Sequence, residues 1–168
     1  MSESGIPKTK NTVSVLLVED DESYAKLVEV KLAKSELAFF QLQHAVSLKD
    51  FQSKLQQSKP DVILSDLGVP ESTGLDTFRK VISWAENIPV VVLTGNEDAR
   101  AGVSAVGLGA QEYLSKTAAA ADFIAQCLLH TIERNRLRVE LKQTNEKISR
   151  LAVTDPLTGL LNRRGLDY

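Results

Sequence analysis

Apolar residues in this chain follow two patterns that take turns. Val13–Val18 (VSVLLV), Val62-Ile63-Leu64 within DVILSD, and Ile88–Leu93 (IPVVVL) are nearly continuous apolar runs, as strands covered on both faces require. Phe39–Val46 alternates partly, with Phe40, Leu42 and His44 on one side, which predicts an edge strand with a wetter face. Glu112-Tyr113-Leu114 forms the core of a short fifth strand ending at Ser115-Lys116. Between these runs the spacing becomes helical. Tyr24, Leu27, Val28, Val30, Lys31 and Leu32 predict a helix ending near Lys34. Ser47, with Asp50 three residues on, caps a second helix whose apolar side is Leu48, Phe51 and Leu55. A third helix spans Leu75 to Ala85 with Phe78, Val81, Ile82 and Trp84. A fourth, Asp98–Val106, is weak because Gly102 inside it costs about 1 kcal/mol relative to alanine, and Gly107 and Gly109 end it. From Ala118 nothing breaks a helix until Pro156.

Strand and helix patterns thus alternate five times with short connections, which predicts an α/β fold with a parallel sheet and helices on both faces. Right-handed crossovers leave few topologies, and the two weaker strands belong at the edges. The flavodoxin-like (βα)5 order 2-1-3-4-5 satisfies both conditions. Its ligand site lies at the carboxyl ends of strands one and three, where the order reverses.

Composition narrows the class without naming it. The chain has 168 residues, 43% hydrophobic and 25% charged, as in a globular protein. A formal charge of −2 argues against general nucleic-acid binding and gives no sign of a membrane-surface protein. Residues 1–121 carry 12 Lys+Arg and 16 Asp+Glu, whereas residues 122–168 carry 8 and 6, so the tail is mildly basic. The single cysteine, Cys127, rules out an internal disulfide and a cysteine-rich zinc site. The polar start MSESGIPKTKNT has no apolar core of a signal peptide, and residues 1–11 read as a disordered lead. No apolar run approaches membrane-spanning length, so a cytoplasmic protein is expected.

What stands at the strand ends gives the chemistry. Strand one delivers Glu19 and Asp20, strand three Asp66, strand four Thr94 and strand five Lys116. Each has a plainer reading alone: Asp20 or Asp21 as a helix cap, Asp66 as a turn residue, Thr94 as a cap, Lys116 as a solvated lysine. Together they bring three carboxylates, a hydroxyl and an ammonium to one crevice. Carboxylates packed closely resist joint ionisation unless a cation neutralises them. An all-oxygen set without His or Cys favours a hard ion such as Mg²⁺. Lysine and a threonine hydroxyl facing that ion across an aspartate suit a phosphoryl group, and a carboxylate can become an aspartyl phosphate. Asp66, alone on the central loop, is the expected nucleophile, with Glu19 and Asp20 holding the metal.

The segments VLLVEDD, DVILSDLGVPESTGLDTF, VVVLTG and EYLSK resemble the signature segments of the receiver domain of two-component response regulators, over roughly residues 12–135. The resemblance implies that Asp66 accepts phosphate from a histidine kinase or phosphotransfer protein. It also implies Mg²⁺ held by Glu19, Asp20, Asp66 and the backbone carbonyl of Gly68, with Thr94 and Lys116 on the phosphoryl group. Tyr113 matches the family's aromatic switch position. Two departures stand out: Thr117 follows Lys116 where the family usually has proline, and Gly68 has no side chain where the family often has one. The first predicts a different loop. The second predicts a phosphate more open to water.

Beyond the fifth helix face of Phe123, Ile124, Cys127, Leu128 and Ile132, the register shifts. Leu137, Leu141, Ile148 and Leu151 fall on heptad d, a, a and d positions with Thr144 as a polar d, so residues 136–153 read as a coiled-coil linker and homodimer contact. Glu133 could then face Arg138 of a partner, while Glu146 and Arg150 pair within one helix. The last stretch, 154–168 (TDPLTGLLNRRGLDY), resembles the opening motif of diguanylate cyclase (GGDEF) domains. The GG(D/E)EF loop that binds GTP is absent from the sequence, so the chain is not itself expected to be a cyclase. It reads as part of a receiver–cyclase regulator whose intact form condenses GTP to cyclic di-GMP. The alternative is a non-enzymatic dimerisation module whose degenerate output domain is a cyclic di-GMP receptor. A flavin domain of the same fold would leave the acids and Lys116 without a role.

Overall fold

The computed structural model describes residues 11–95, 104–117 and 121–153. Its main strands are β1 (Thr12–Val18), β2 (Phe39–Ala45), β3 (Val62–Asp66), β6 (Val90–Thr94) and β7 (Glu112–Ser115). A two-residue ladder, β4 (Gly68–Val69) with β5 (Ser72–Thr73), lies in the loop after β3. The helices are α1 (Glu22–Ala33), α2 (Leu48–Gln57), α3 (Leu75–Ala85) and α4 (Ala121–Val153). The five-stranded sheet is parallel throughout, in the order β2-β1-β3-β6-β7. Discounting the small ladder, this is the expected order 2-1-3-4-5.

Alternation along the central strands feeds two cores. Val15, Leu17, Val62, Leu64, Val91 and Leu93 meet α1 and the start of α4 through Ala25, Val28, Leu32, Ile124, Ala125 and Leu128. Leu16, Val18, Ile63, Val90 and Val92 meet α2 and α3 through Phe51, Phe78 and Val81. Each such side chain contributes about 1.5–3 kcal/mol by leaving water. Both faces of β1, β3 and β6 are therefore filled, and their apolar runs are continuous for that reason. The helix starts follow local chemistry. Asp21 accepts from the amides of Ser23 and Tyr24, and Ser47 accepts from that of Asp50.

Two elements depart from the sequence pattern. Leu27 and Val30 are exposed, because the buried stripe of α1 runs through Ala25, Val28 and Leu32 instead. The strand read from Ile88 begins at Val90; the Ile88 amide bonds back to Ala85 at the end of α3, and Pro89 has no amide hydrogen to donate. Of the weak helix read from Asp98, the described residues show a helical turn at 104–107. It closes with the Ala110 amide donating to the Ala105 carbonyl around Gly109, whose φ of 117° suits glycine. The lead at residues 1–10, the earlier part of that helix and the stretch 154–168 lie outside the described residues. The edge strand β2 matches its pattern, with Phe40, Leu42 and His44 partly buried and Phe39, Gln41 and Gln43 exposed.

The chain forms two units, Met1–Ile132 and Glu133–Tyr168. The first holds the sheet. The second consists, among described residues, of the remainder of α4, on which Leu137, Leu141 and Ile148 are 55%, 62% and 59% exposed. Among the described residues no helix is long and apolar enough to cross a membrane. Leu64→Ala should lower unfolding free energy by about 2–5 kcal/mol, whereas Leu27→Ala should cost about 0.5 kcal/mol or less. Urea denaturation of both variants measures the contrast.

Candidate functional site

The site is built where β1, β3 and β7 end. The amide of Glu19 still donates to Ala45 on β2, so Glu19 is held by the sheet and not by a free loop. Its carbonyl accepts from His44 Nε2 at 2.6 Å, which requires the proton on that nitrogen. The Glu19 side chain is wholly buried. Val18 and Ser65 are register partners, so the next residues, Glu19 and Asp66, are delivered side by side. Lys116 follows β7, and its amide donates to the Thr94 carbonyl at 2.8 Å.

The Lys116 ammonium joins the two acids. Its Nζ lies 2.9 Å from Glu19 Oε1, 2.7 Å from Oε2, and 3.1 Å from Asp66 Oδ2. Only Oε1 of Glu19 is in line for a hydrogen bond; Oε2 is close in charge terms yet has no donor aimed at it. Asp66 Oδ1 accepts from the Leu67 amide at 2.8 Å. Burial pushes the Glu19 carboxyl above its usual range, the nearby Asp66 charge adds to this, and Lys116 opposes it. Burial likewise raises Asp66, against the pull of Lys116 and the amides of Leu67 and Gly68. Burial alone would lower the Lys116 ammonium, but the hydrogen bond to Glu19 and the Asp66 charge outweigh it and leave it raised.

One carboxylate oxygen each from Glu19, Asp20 and Asp66 lies within 4.8 Å of the others, with Asp20 exposed. Mg²⁺ binds oxygen at about 2.0–2.1 Å, so two ligands on one ion are at most about 4.2 Å apart. The three acids are close enough to share one ion directly after a small inward shift, or through the waters that Mg²⁺ keeps. Glu19 Oε2, buried and in contact only with the Lys116 charge, is an oxygen such an ion could also take, and the all-oxygen set suits a hard cation. The acidic cluster therefore fits the ion.

Other expected residues are placed less directly. Thr94 is buried, and its hydroxyl donates to the Leu114 carbonyl at 3.4 Å. Gly68 lies beside the carboxylate: a Cβ built there would stand 3.5 Å from Asp66 Oδ2, in ordinary contact. Tyr113 on β7 is 37% exposed. No cis peptide bond occurs among the described residues, and the Thr117 hydroxyl lies 2.9 Å from that of Ser115. Two neighbours were not legible as such. His44 read only as one position beside Phe40 and Leu42 on an edge strand, and Tyr24 only as an apolar position of α1. Tyr24 has its ring 4.6 Å from Lys116 Nζ, and burial raises its phenol pKa. A signal for it exists in the sequence: in the first helical turn a side chain leans back toward the N-terminus, here toward the acids.

A family model described as response regulator receiver domain matches residues 15–127. Among curated proteins, the chain is 28% identical over 146 residues to the C4-dicarboxylate transport transcriptional regulatory protein DctD of Rhizobium meliloti. It is 30% identical over 102 residues to the transcriptional regulatory protein KdpE of Staphylococcus aureus. These alignments cover 87% and 61% of this chain but span only 31% and 42% of the two relatives. Among solved structures, the response regulator receiver domain protein from Clostridium thermocellum superposes with a TM-score of 0.65 at 22% identity. That alignment covers 74% of this chain and 98% of the other. It shows the fold.

Because Glu19 and Asp66 hold protons at higher pH than ordinary carboxylates, protons and Mg²⁺ compete for the same oxygens above the usual carboxylate range. As pH falls through that window the two acids protonate, and Mg²⁺ stabilises the fold less. A Mg²⁺ concentration of 100 times Kd should stabilise by about 2.7 kcal/mol where both acids are ionised, with the gain shrinking on acidification. Thermal melts with and without Mg²⁺ across pH measure it.

Proposed function

Because the chain belongs to the response regulator receiver domain family, we propose that Asp66 is its phosphoacceptor. Receiver domains bind Mg²⁺ at an acidic pocket and take phosphate from histidine kinases or phosphotransfer proteins; for this chain the assignment of residues is our reading. One observation carries it: Asp66 sits at the switch point of the sheet with Lys116 Nζ at 3.1 Å and carboxylate oxygens of Glu19 and Asp20 within 4.8 Å.

A carboxylate oxygen of Asp66 attacks the phosphorus of a phosphohistidine; the P–O bond forms, the P–N bond breaks, and the leaving imidazole nitrogen keeps the electron pair. Glu19, Asp20, Asp66 and the Gly68 carbonyl would hold Mg²⁺, which would supply positive charge against the phosphoryl oxygens. Lys116 exchanges its contact with Asp66 Oδ2 for a phosphoryl oxygen and keeps its hold on Glu19. The Thr94 hydroxyl turns from Leu114 toward the phosphoryl group, and Tyr113 on the next strand turns inward as the threonine moves.

The output lies further along the chain. The segment TDPLTGLLNRR speaks for a diguanylate cyclase output in the intact regulator, with GTP as substrate and cyclic di-GMP as product. DctD and KdpE are named transcriptional regulators, so the sequence-based expectation of no nucleic-acid partner draws no support from them. Exposed Leu137, Leu141 and Ile148 at heptad spacing support pairing of α4 with a second copy, and a cytoplasmic location follows from the proposed kinase partner.

Acetyl phosphate with Mg²⁺ should add one phosphoryl group to the wild type and none to Asp66→Asn, read by intact mass; a phosphoryl group found on another residue overturns the reading. Leu141→Asp should reduce any dimer by at least about tenfold in affinity while leaving phosphorylation intact, measured by analytical ultracentrifugation. Gly68→Asn should lengthen the lifetime of the acyl phosphate, since its side chain would begin 3.5 Å from Asp66 Oδ2 and screen the site from water. An unchanged or shorter lifetime refutes that role for Gly68.

A further inference from the structure

Three directions around Lys116 Nζ are occupied. Two are Glu19 and Asp66, and the third is the face of the Tyr24 ring, 4.6 Å away at its centroid. That distance lies inside the range over which a ring quadrupole attracts an ammonium. The ring is placed by the local fold: Asp21 caps α1, Tyr24 is the third residue of the helix, and its side chain leans back over the strand ends. The ring is partly buried and also packs against the core cluster formed by β1, β3, α1 and α4, which favours its present placement. Its hydroxyl is buried with no hydrogen-bond partner. Packing alone would be served better by phenylalanine, and the ring face is what touches the charge.

Two of the three partners of Lys116 are not constant. A divalent ion and a phosphoryl group draw on the oxygens of Glu19 and Asp66, so as the site fills the ammonium gives up Asp66 and shares Glu19 with the ion. The aromatic face carries no oxygen that the ion could take. We propose that Tyr24 is a positioning residue for Lys116, its ring face keeping the ammonium at the reacting carboxylate while Glu19 and Asp66 are drawn to the metal. This rests on the reading of Asp66 as phosphoacceptor.

The experiment uses the full chain, acetyl phosphate and saturating Mg²⁺. Tyr24→Leu should be phosphorylated roughly 2- to 30-fold more slowly, the range to which an exposed or a desolvated cation–π contact converts. The Mg²⁺ concentration giving half the maximal rate should stay within about twofold of wild type, because Tyr24 offers no ligand. Tyr24→Phe keeps the face and should restore the rate, with a higher melting temperature from loss of the orphaned hydroxyl. In a Lys116→Ala background, Tyr24→Leu should have no further effect. Should Tyr24→Leu fold poorly by circular dichroism, Tyr24→Met removes the ring while filling the space and is judged by the same readouts. A wild-type rate in the ringless variant overturns the proposal, as does a slow Tyr24→Phe or a full effect without Lys116. If the wild type itself takes no phosphate on Asp66, the parent reading fails instead, and the two failures are distinct.

Discussion

Two carboxylates that the sheet forces together, held by one ammonium, are the constraint on which the rest of this molecule depends. Glu19 and Asp66 end neighbouring parallel strands, so neither can retreat from the other without breaking the β1–β3 ladder. Burial denies them water, and their raised carboxyl pKa values are the result. Lys116 offsets one charge. With Asp20 at the rim, three carboxylates and one ammonium leave a formal charge of −2, which a single divalent ion cancels. The appetite for such an ion is a property of the strand order itself. Any topology that separated β1 from β3 would lose it.

Rigidity beneath the site makes the electrostatics useful. Val15 through Glu19 and Val62 through Ser65 are almost wholly buried, so the acids stand on the least deformable part of the fold. Lys116 directly follows β7, the last strand of the order, and its amide is tied to the Thr94 carbonyl. A change in what the ammonium grips is thereby passed to the Thr94 backbone and to the Leu114 carbonyl that its hydroxyl touches. The outer strands β6 and β7 are where filling of the site would be felt first.

The sequence disclosed strands better than helix faces, for a physical reason. A strand buried on both sides is apolar at nearly every position, and short runs such as VSVLLV and VVVL, bounded by turn formers and rich in β-branched residues, fit that reading best. A helix shows only one stripe, and α1 carries apolar residues around most of its circumference, so its pattern predicts a helix without telling that Ala25 is buried and Leu27 and Val30 are exposed. The start of β6 was misplaced because Ile88 and Pro89 continue the apolar run, although the Ile88 amide belongs to the helix before it. The site acids, Thr94 and Lys116 were legible from their place at strand ends. Tyr24 and His44 were not, because their meaning lies in partners distant along the chain: an ammonium just after β7 and a carbonyl at the end of β1. Periodicity reports a face, and it carries no information on what that face touches.

The same separation governs what can be said of output. The acidic cluster and the Lys116 ammonium lie between Glu19 and Lys116, inside the span that the receiver family matches. Relatives that share the span carry their names, as transcriptional regulators, over lengths of which this chain covers less than half. Output identity must therefore be argued from residues after Glu133, where α4 leaves the sheet-bearing unit and carries exposed leucines at heptad spacing toward TDPLTGLLNRR. An acyl phosphate on Asp66, as proposed, would lie at the rim of the sheet and would reach any such output only by altering a surface. A helix continuous across both units is the element through which a surface change in one can bias pairing in the other.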